Sequence, residues 1–237
     1  MINLTVFKYA LYNGITKPTS LVVNSIGPLL LTIFADRISM FGGTDAAFYL
    51  LGFIIMYGAF LMANSIQKDK VEGVLTRILA GPITLRSYLV QNFLAAILPM
   101  TVVCTAIGVL GIILHDWEFG FAFGLVLVYI MLSATSIGLS FVWSCLFKDK
   151  EASLSGISVV ITMSALLGGF MMPLSMFPDP IYYMGMITPA HWASRAIEQL
   201  VEYRVYGELA SMYWLGLLAM AMFTIAFVLY GSKRRLV

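Results

Sequence analysis

Hydroxyl-bearing residues recur at helical spacing along an apolar stretch near residue 160. Ser155, Ser158 and Thr162 are separated by three and then four residues, so they share one face of a helix. Such a weakly polar face can line a conduit between helices, and it can equally bring two helices into close contact. A conduit would gain a soft, adaptable lining from an earlier apolar stretch that contains Met56, Tyr57, Phe60 and Asn64.

Charged residues cluster in residues 67–88, named here the charged loop. Lys68 and Glu72 stand four residues apart, the spacing of an opposite-charge pair on one helix. Valine, leucine and isoleucine recur beside them at helical spacing up to Gly81, which predicts one amphipathic helix. Its apolar stripe needs cover from a lipid surface, from neighbouring helix ends or from a partner protein. The same stretch contains Asp69, Gly73 and Arg77.

Residues suited to catalysis or metal binding do not form a motif. Cys104 and Cys145 both lie in apolar stretches, which favours two buried apolar side chains over a disulfide or a metal site. His191 has no second histidine or cysteine nearby, so an interfacial hydrogen-bonding role is the simpler interpretation. No phosphate-binding P-loop motif occurs. We therefore expect no catalytic residue, no metal site and no cofactor in this chain.

The elements that hold these residues are strongly apolar. Of the 237 residues, 60% are hydrophobic and 11% are charged, and the net charge of +2 gives no support to nucleic-acid binding. An ordinary soluble domain is roughly 25% charged. Because lipid requires internally satisfied backbones and no run alternates with period two, each apolar run predicts a membrane-spanning helix. The six predicted spans are Leu21–Phe34, Phe48–Ile66, Leu89–Leu114, Phe119–Phe147, Ala152–Met172 and Tyr213–Tyr230. We expect residues 1–237 to form one all-α membrane domain, without room for a nucleotide-hydrolysing domain.

The positions of the charges predict the orientation of the chain. If the predicted spans alternate in direction, eleven of the 14 Lys and Arg residues fall on one side. The positive-inside rule then places both termini and the charged loop in the cytoplasm, and we expect a plasma membrane of the bacterial inner-membrane type. The six spans contain no Asp, Glu, Lys, Arg or His, which disfavours ion-coupled transport. Energy for transport would have to come from outside the chain.

Two further segments differ from the spans. Residues 1–18 mix apolar residues with Lys8 and Lys17 and predict an amphipathic helix on the cytoplasmic surface. Residues 173–210, named here the proline-rich segment, are apolar but contain too many prolines for one continuous helix. We expect a re-entrant or interfacial structure on the outer side, with a short helix that begins at Pro189. Its candidate residues, with the preceding glycine, are Gly169, Pro173, Phe177, Pro178 and Pro189.

Two of these segments together resemble the ABC-2 type transporter permeases. Residues 70–82 read Lys-Val-Glu-Gly-Val-Leu-Thr-Arg-Ile-Leu-Ala-Gly-Pro and resemble the Glu-x-Gly-Thr-Leu-x-x-Leu-x-x-x-Pro segment of that family, with Val74 where the family has threonine. Residues 168–197 begin Gly-Gly-Phe, continue through Phe177-Pro178 and are similar to the family's outer segment before its last span. The two motifs occur in the family's order, and the resemblance covers the whole architecture.

The resemblance implies a transport subunit and not an enzyme. In this family two six-span permease subunits pair within the membrane lipid, as a homodimer or a heterodimer. Each docks a separate ATP-binding subunit through the charged loop and the N-terminal helix. The resemblance assigns this contact to Lys68, Asp69, Glu72, Gly73 and Arg77. ATP and Mg would be held by that partner, and substrate would pass between the second and fifth spans.

On this basis we expect the permease subunit of an ATP-driven exporter. Its substrate would be a hydrophobic or amphipathic compound such as a drug, an antimicrobial peptide or a lipid-like molecule, because the spans carry no ionisable groups. One alternative stays open: a non-transporting membrane anchor or immunity protein that recruits a cytoplasmic partner. A second alternative, an ion-coupled carrier, is disfavoured by the uncharged spans.

Overall fold

The structure is a computed structural model of the chain, and it describes most of the residues between 4 and 226. The described residues are 4–15, 22–35, 37, 46–63, 68–70, 72–81, 83–146, 150–172, 174–203, 216–222 and 226. The predicted pathway residue Asn64, the predicted outer residue Pro173 and more than half of the predicted last span lie outside these residues.

Helices are the regular structure of the described residues. In chain order they are α1 Leu4–Ile15, α2 Gly27–Ile33, α3 Ala46–Ala63, α4 Val74–Leu79, α5 Leu85–His115, α6 Phe119–Leu146, α7 Lys150–Leu167, α8 Asp179–Gly185 and α9 Pro189–Tyr203. Residues 216–222 are also helical and are numbered α10. A π-helical turn, Val22–Ile26, leads into α2, and a short 3-10 turn, Leu174–Met176, comes before α8.

Two of the predicted spans are long apolar helices. The helices α5 and α6 contain 31 and 28 residues, more than the roughly 20 that cross the hydrocarbon of a bilayer. The apolar helical stretches Val22–Ile33, Ala46–Met62 and Glu151–Leu167 are shorter. The described residues therefore form an all-helical fold with two clear apolar spans, and the total of six stays a prediction.

The start of α5 is fixed by a local signal next to the charged loop. The Thr84 hydroxyl accepts a hydrogen bond from the Ser87 amide at 3.3 Å, which satisfies one of the free amides of the first turn. The helix contains Pro99 and ends at His115, and the φ of 51° at the following Asp116 is outside the helical range. Because the capping residue Thr84 immediately precedes Leu85, the charged loop leads directly into a long span.

The helix α6 lies at the centre of the fold and packs against α3, α5 and α9. The Tyr129 hydroxyl donates to the Phe48 carbonyl at 2.9 Å and joins α6 to α3. Ser136, Ser140 and Ser144 are buried, and each donates to the carbonyl four residues earlier at 2.8 Å. Small hydroxyl residues that satisfy themselves in this way let neighbouring helices approach closely.

The N-terminal helix packs on the described fold rather than standing apart from it. The helix α1 covers Leu4–Ile15 of the predicted 1–18 segment and contacts α5. Ala10 is buried, whereas Lys8 and Tyr12 are exposed, so α1 has an inner and an outer face. Its position at a membrane surface stays a prediction.

Candidate functional site

The charged loop differs from the single helix predicted for it. Residues 68–70 are helical, Glu72 and Gly73 form a turn, and α4 begins at Val74. The φ of Gly73 is 71°, a left-handed conformation that glycine adopts readily because it has no Cβ. The prediction of one amphipathic helix through this loop is therefore wrong: before α5, its described residues form two short helical pieces joined by the turn at Gly73.

Three charged side chains of the loop lie at its surface. The Lys68 ammonium lies 3.8 Å from a Glu72 carboxylate oxygen, and the two side chains are 37% and 48% exposed. The predicted pair is thus present in the structure. Arg77 is exposed on α4, past the turn at Gly73. These residues give the loop a polar outer surface of mixed charge.

Asp69 and Lys70 point from the same loop into the protein. Asp69 is 5% exposed, and its carboxylate accepts a hydrogen bond of 2.6 Å from the Tyr88 hydroxyl in the first turn of α5. Lys70 donates to the Ser144 carbonyl near the end of α6 at 3.1 Å, where a positive charge also interacts favourably with the helix dipole. The surface position that the sequence predicted for Asp69 is therefore wrong, because Tyr88 draws its carboxylate inward. No local pattern marks Tyr88 as its partner.

A cavity of about 380 Å³ lies between the charged loop, α1 and α5. Its walls include Tyr9, Asp69, Val74, Ile78, Tyr88 and Asn92. The Asn92 amide donates to the Tyr88 carbonyl at 3.0 Å and holds that wall in place. On this side, therefore, the loop and α5 are not joined by continuous packing.

The predicted pathway residues occupy two different environments. Met56 and Phe60 are 1% and 2% exposed within the core. Ser155 and Thr162 are exposed on α7, where the Thr162 hydroxyl donates to the carbonyl of the half-buried Ser158 at 2.8 Å. The two groups therefore do not share an open surface within this chain, although Tyr57 is half-buried beside the core residues.

The fifth predicted span ends earlier than expected, and a glycine pair changes the chain direction. The helix α7 ends at Leu167, and Gly169 follows with a φ of 95°. A Cβ on Gly168 would lie 2.6 Å from the His191 amide nitrogen, closer than packed atoms allow. The Ser194 hydroxyl donates to the Gly168 carbonyl. The missing side chains thus let the start of α9 pack directly on the end of α7.

The other candidates in the proline-rich segment shape two short helices. Pro178 is exposed and stands at the N-cap of α8, next to the half-buried Phe177. Pro189 is buried and begins α9, as the sequence predicts. The Thr188 hydroxyl accepts a hydrogen bond from the His191 amide at 3.4 Å and caps α9.

A polar cluster that the sequence did not predict joins α8 to α9. The rings of Tyr182 and His191 lie 5.3 Å apart, and an Arg195 nitrogen donates to the Tyr182 hydroxyl at 3.2 Å. Arg195 also forms an ion pair of 2.7 Å with Glu198. His191 is 1% exposed, so its ring is enclosed by the protein, and its position at the membrane interface stays a prediction. Burial and, secondarily, the charge of Arg195 lower the pKa of His191 from 6.5 to about 4.

The structure offers no place for a metal among the residues it describes. Within the described ranges, no three His, Cys, Asp or Glu side chains come close enough to hold an ion. Cys104 is buried with a free thiol, as its apolar context predicts.

The fold and the loop define an all-helical integral membrane protein with a charged loop that is fixed to its apolar helices. The family described as ABC-2 family transporter protein matches residues 15–230. The chain belongs to this family, as the two motifs predicted, and is a permease subunit of an ABC transporter. Permeases of this family work with an ABC ATP-binding subunit. No curated protein matches the chain.

Proposed function

We propose that this chain is the permease subunit of an ATP-driven exporter that moves a hydrophobic or amphipathic compound out of the cell. Two such subunits pair in the membrane, and each binds a separate ATP-binding subunit that holds ATP and Mg. Lys68, Glu72 and Arg77 contact that subunit, and Gly73 shapes the turn between them. Asp69 is assigned to the interior of the permease, because its carboxylate is buried against Tyr88.

The observation that supports this proposal most directly is the two-sided charged loop. Lys68, Glu72 and Arg77 lie at its surface, while Asp69 and Lys70 bind the two long helices. A partner that binds the outer side of such a loop can move helices that lie in the membrane. A passive anchor that only recruits a partner does not require the inner contacts.

The docking contact can be tested by copurification. The wild-type chain and a variant with Lys68→Glu, Glu72→Lys and Arg77→Glu are coexpressed with the ABC ATPase encoded beside it, and ATP hydrolysis is measured in lipid. We expect the wild type to retain the ATPase and the variant to lose both the subunit and its activity. Reversal of the exposed Arg37 and Glu202, which lie outside the loop, is the matched control and should change neither.

The translocation face can be tested on α7. We propose that Ser155, Ser158 and Thr162, together with Tyr57, line the path of the substrate. Thr162→Trp should then block export of any dye or labelled lipid that the wild-type complex exports, because the bulky ring fills the path. Val160→Trp, at a position 44% exposed on the opposite face of the same helix, is the control. Equal export by both variants would mean that this face of α7 does not line the path.

A further inference from the structure

Two polar contacts join residues 68–70 to both long helices. The Tyr88 hydroxyl donates to Asp69 at 2.6 Å, a distance typical of a hydrogen bond to a carboxylate. Tyr88 is 1% exposed and lies in the first turn of α5. Lys70 donates to the Ser144 carbonyl near the end of α6. Adjacent residues of the loop therefore bind two different spans.

These contacts matter more because packing between the loop and α5 is incomplete. The cavity of about 380 Å³ separates Val74 and Ile78 of the loop from Tyr9 of α1 and Asn92 of α5. Leu75 is buried in the core and Ile78 packs against it, so α4 keeps its own apolar attachment. Gly73, with its left-handed backbone, lies between that attachment and residues 68–70. When the outer surface of the loop moves, the turn at Gly73 can therefore change its conformation without moving the long helices. The movement reaches these helices only if residues 68–70 have contacts of their own with them.

We propose that the Asp69–Tyr88 hydrogen bond is the link that makes α5 follow the charged loop when the ATPase subunit moves. Tyr88 and Asp69 are then positioning residues that act through α5, and Lys70 provides the corresponding attachment to α6. This inference rests on the proposed function, because it requires an ATPase that docks on the loop. It assigns a role to Tyr88, which lies outside the exposed docking surface.

The proposal predicts that removal of the Tyr88 hydroxyl abolishes the helix movement without weakening the docking of the ATPase. Tyr88→Phe removes the donor and keeps the buried ring, so the ATPase should bind and trap nucleotide as in the wild type. The helix movement should be lost, because the carboxylate of Asp69 no longer holds α5.

The movement can be measured by spin-label distances in the complete complex in lipid. Val102→Cys on α5 and Val159→Cys on α7 place labels at positions 69% and 58% exposed, in a chain whose native cysteines are replaced. Labelled permease is diluted with unlabelled permease so that only pairs within one chain contribute. The distance is compared without nucleotide and after trapping with ADP and vanadate. We expect a shift in the wild type and no shift in Tyr88→Phe.

Two matched variants distinguish this link from a general loss of stability. Tyr129→Phe removes another buried hydroxyl bond, the one to the Phe48 carbonyl at 2.9 Å, without touching the loop, and should keep the shift. Asp69→Asn retains an oxygen that accepts the Tyr88 hydrogen and should also keep it, whereas Asp69→Ala should lose it.

The outcomes separate this inference from the proposed function. Copurification is measured on the same samples, and failure of the wild type to bind an ATPase overturns both. A full shift in Tyr88→Phe, with the ATPase bound, overturns the link alone. A wild-type complex that traps nucleotide without any shift, or equal losses in Tyr129→Phe and Tyr88→Phe, overturns it as well.

Discussion

Single atoms decide how closely α9 approaches α7. Gly168 leaves no room for a side chain, because a Cβ there would lie 2.6 Å from the His191 amide nitrogen and from the Ser164 carbonyl oxygen. Both of these neighbours are backbone atoms and can move only with their helices. We therefore expect Gly168→Ala to lower the free energy of unfolding by about 1–3 kcal/mol, the usual cost of overpacking.

The glycine prediction has a control within the same chain. A Cβ on Gly120 meets no atom within 4 Å among the described residues, so Gly120→Ala should not reduce stability. Unfolding in detergent can be followed with a thiol-reactive dye in a chain that carries Cys145→Ser, because the remaining Cys104 is buried and becomes reactive only when the core opens. Equal unfolding temperatures for the two variants would contradict the close approach at Gly168.

His191 makes stability depend on pH. Its pKa is about 4 in the folded chain, lowered mainly by burial, against 6.5 ordinarily, so between these values the unfolded chain binds more protons. The stability that a neutral His191 contributes is therefore complete above pH 6.5 and is lost as pH falls towards 4. His191→Asn cannot titrate and should show a shallower loss in thermal unfolding followed by circular dichroism. Parallel curves for the variant and the wild type would refute this assignment.

At the level of elements, the turn at Gly73 determines how the charged loop presents its surface. An L-residue in the left-handed region costs about 1–2 kcal/mol, and asparagine tolerates this region better than alanine. If the docked loop keeps this turn, Gly73→Ala should weaken ATPase binding by about tenfold, and Gly73→Asn should weaken it less. Titration of the ATPase onto permease in lipid nanodiscs measures both. Tighter binding by Gly73→Ala would mean that the docked loop is one continuous helix.

The sequence predicts elements well where the signal is local. Thr188 and Pro189 form a cap and a first turn by themselves, and α9 begins there. The pairing of Lys68 with Glu72 needs only one helical turn. By contrast, the burial of Asp69 depends on Tyr88, which is 19 residues away. Helical periodicity could not predict that contact, because it arises only when the charged loop folds back on α5.

At the scale of the whole molecule, buried polar groups are grouped where helices meet. The buried serine hydroxyls of α6 donate hydrogen bonds to carbonyls of the same helix. His191 and Arg195, by contrast, lie at the contact of α8 with α9. The helix α3, which holds the predicted pathway residues Met56 and Phe60, packs largely in the core, as the burial of these two residues shows. Among the described residues, large apolar side chains are exposed on α2, α5, α6 and α7, where lipid or another protein can contact them.

The orientation of the whole chain can be tested independently of any partner. The charge distribution predicts that the loop before α7 lies in the cytoplasm and that the proline-rich segment lies outside. Glu151→Cys and Ile187→Cys each place a thiol at an exposed position on one of these sides, and Ile187 is 79% exposed. In intact cells, with the native cysteines replaced, a membrane-impermeant maleimide should label position 187 and not position 151. After permeabilisation both should react. Labelling of position 151 alone in intact cells would reverse the orientation and place the charged loop outside, where no ATP-binding subunit could reach it.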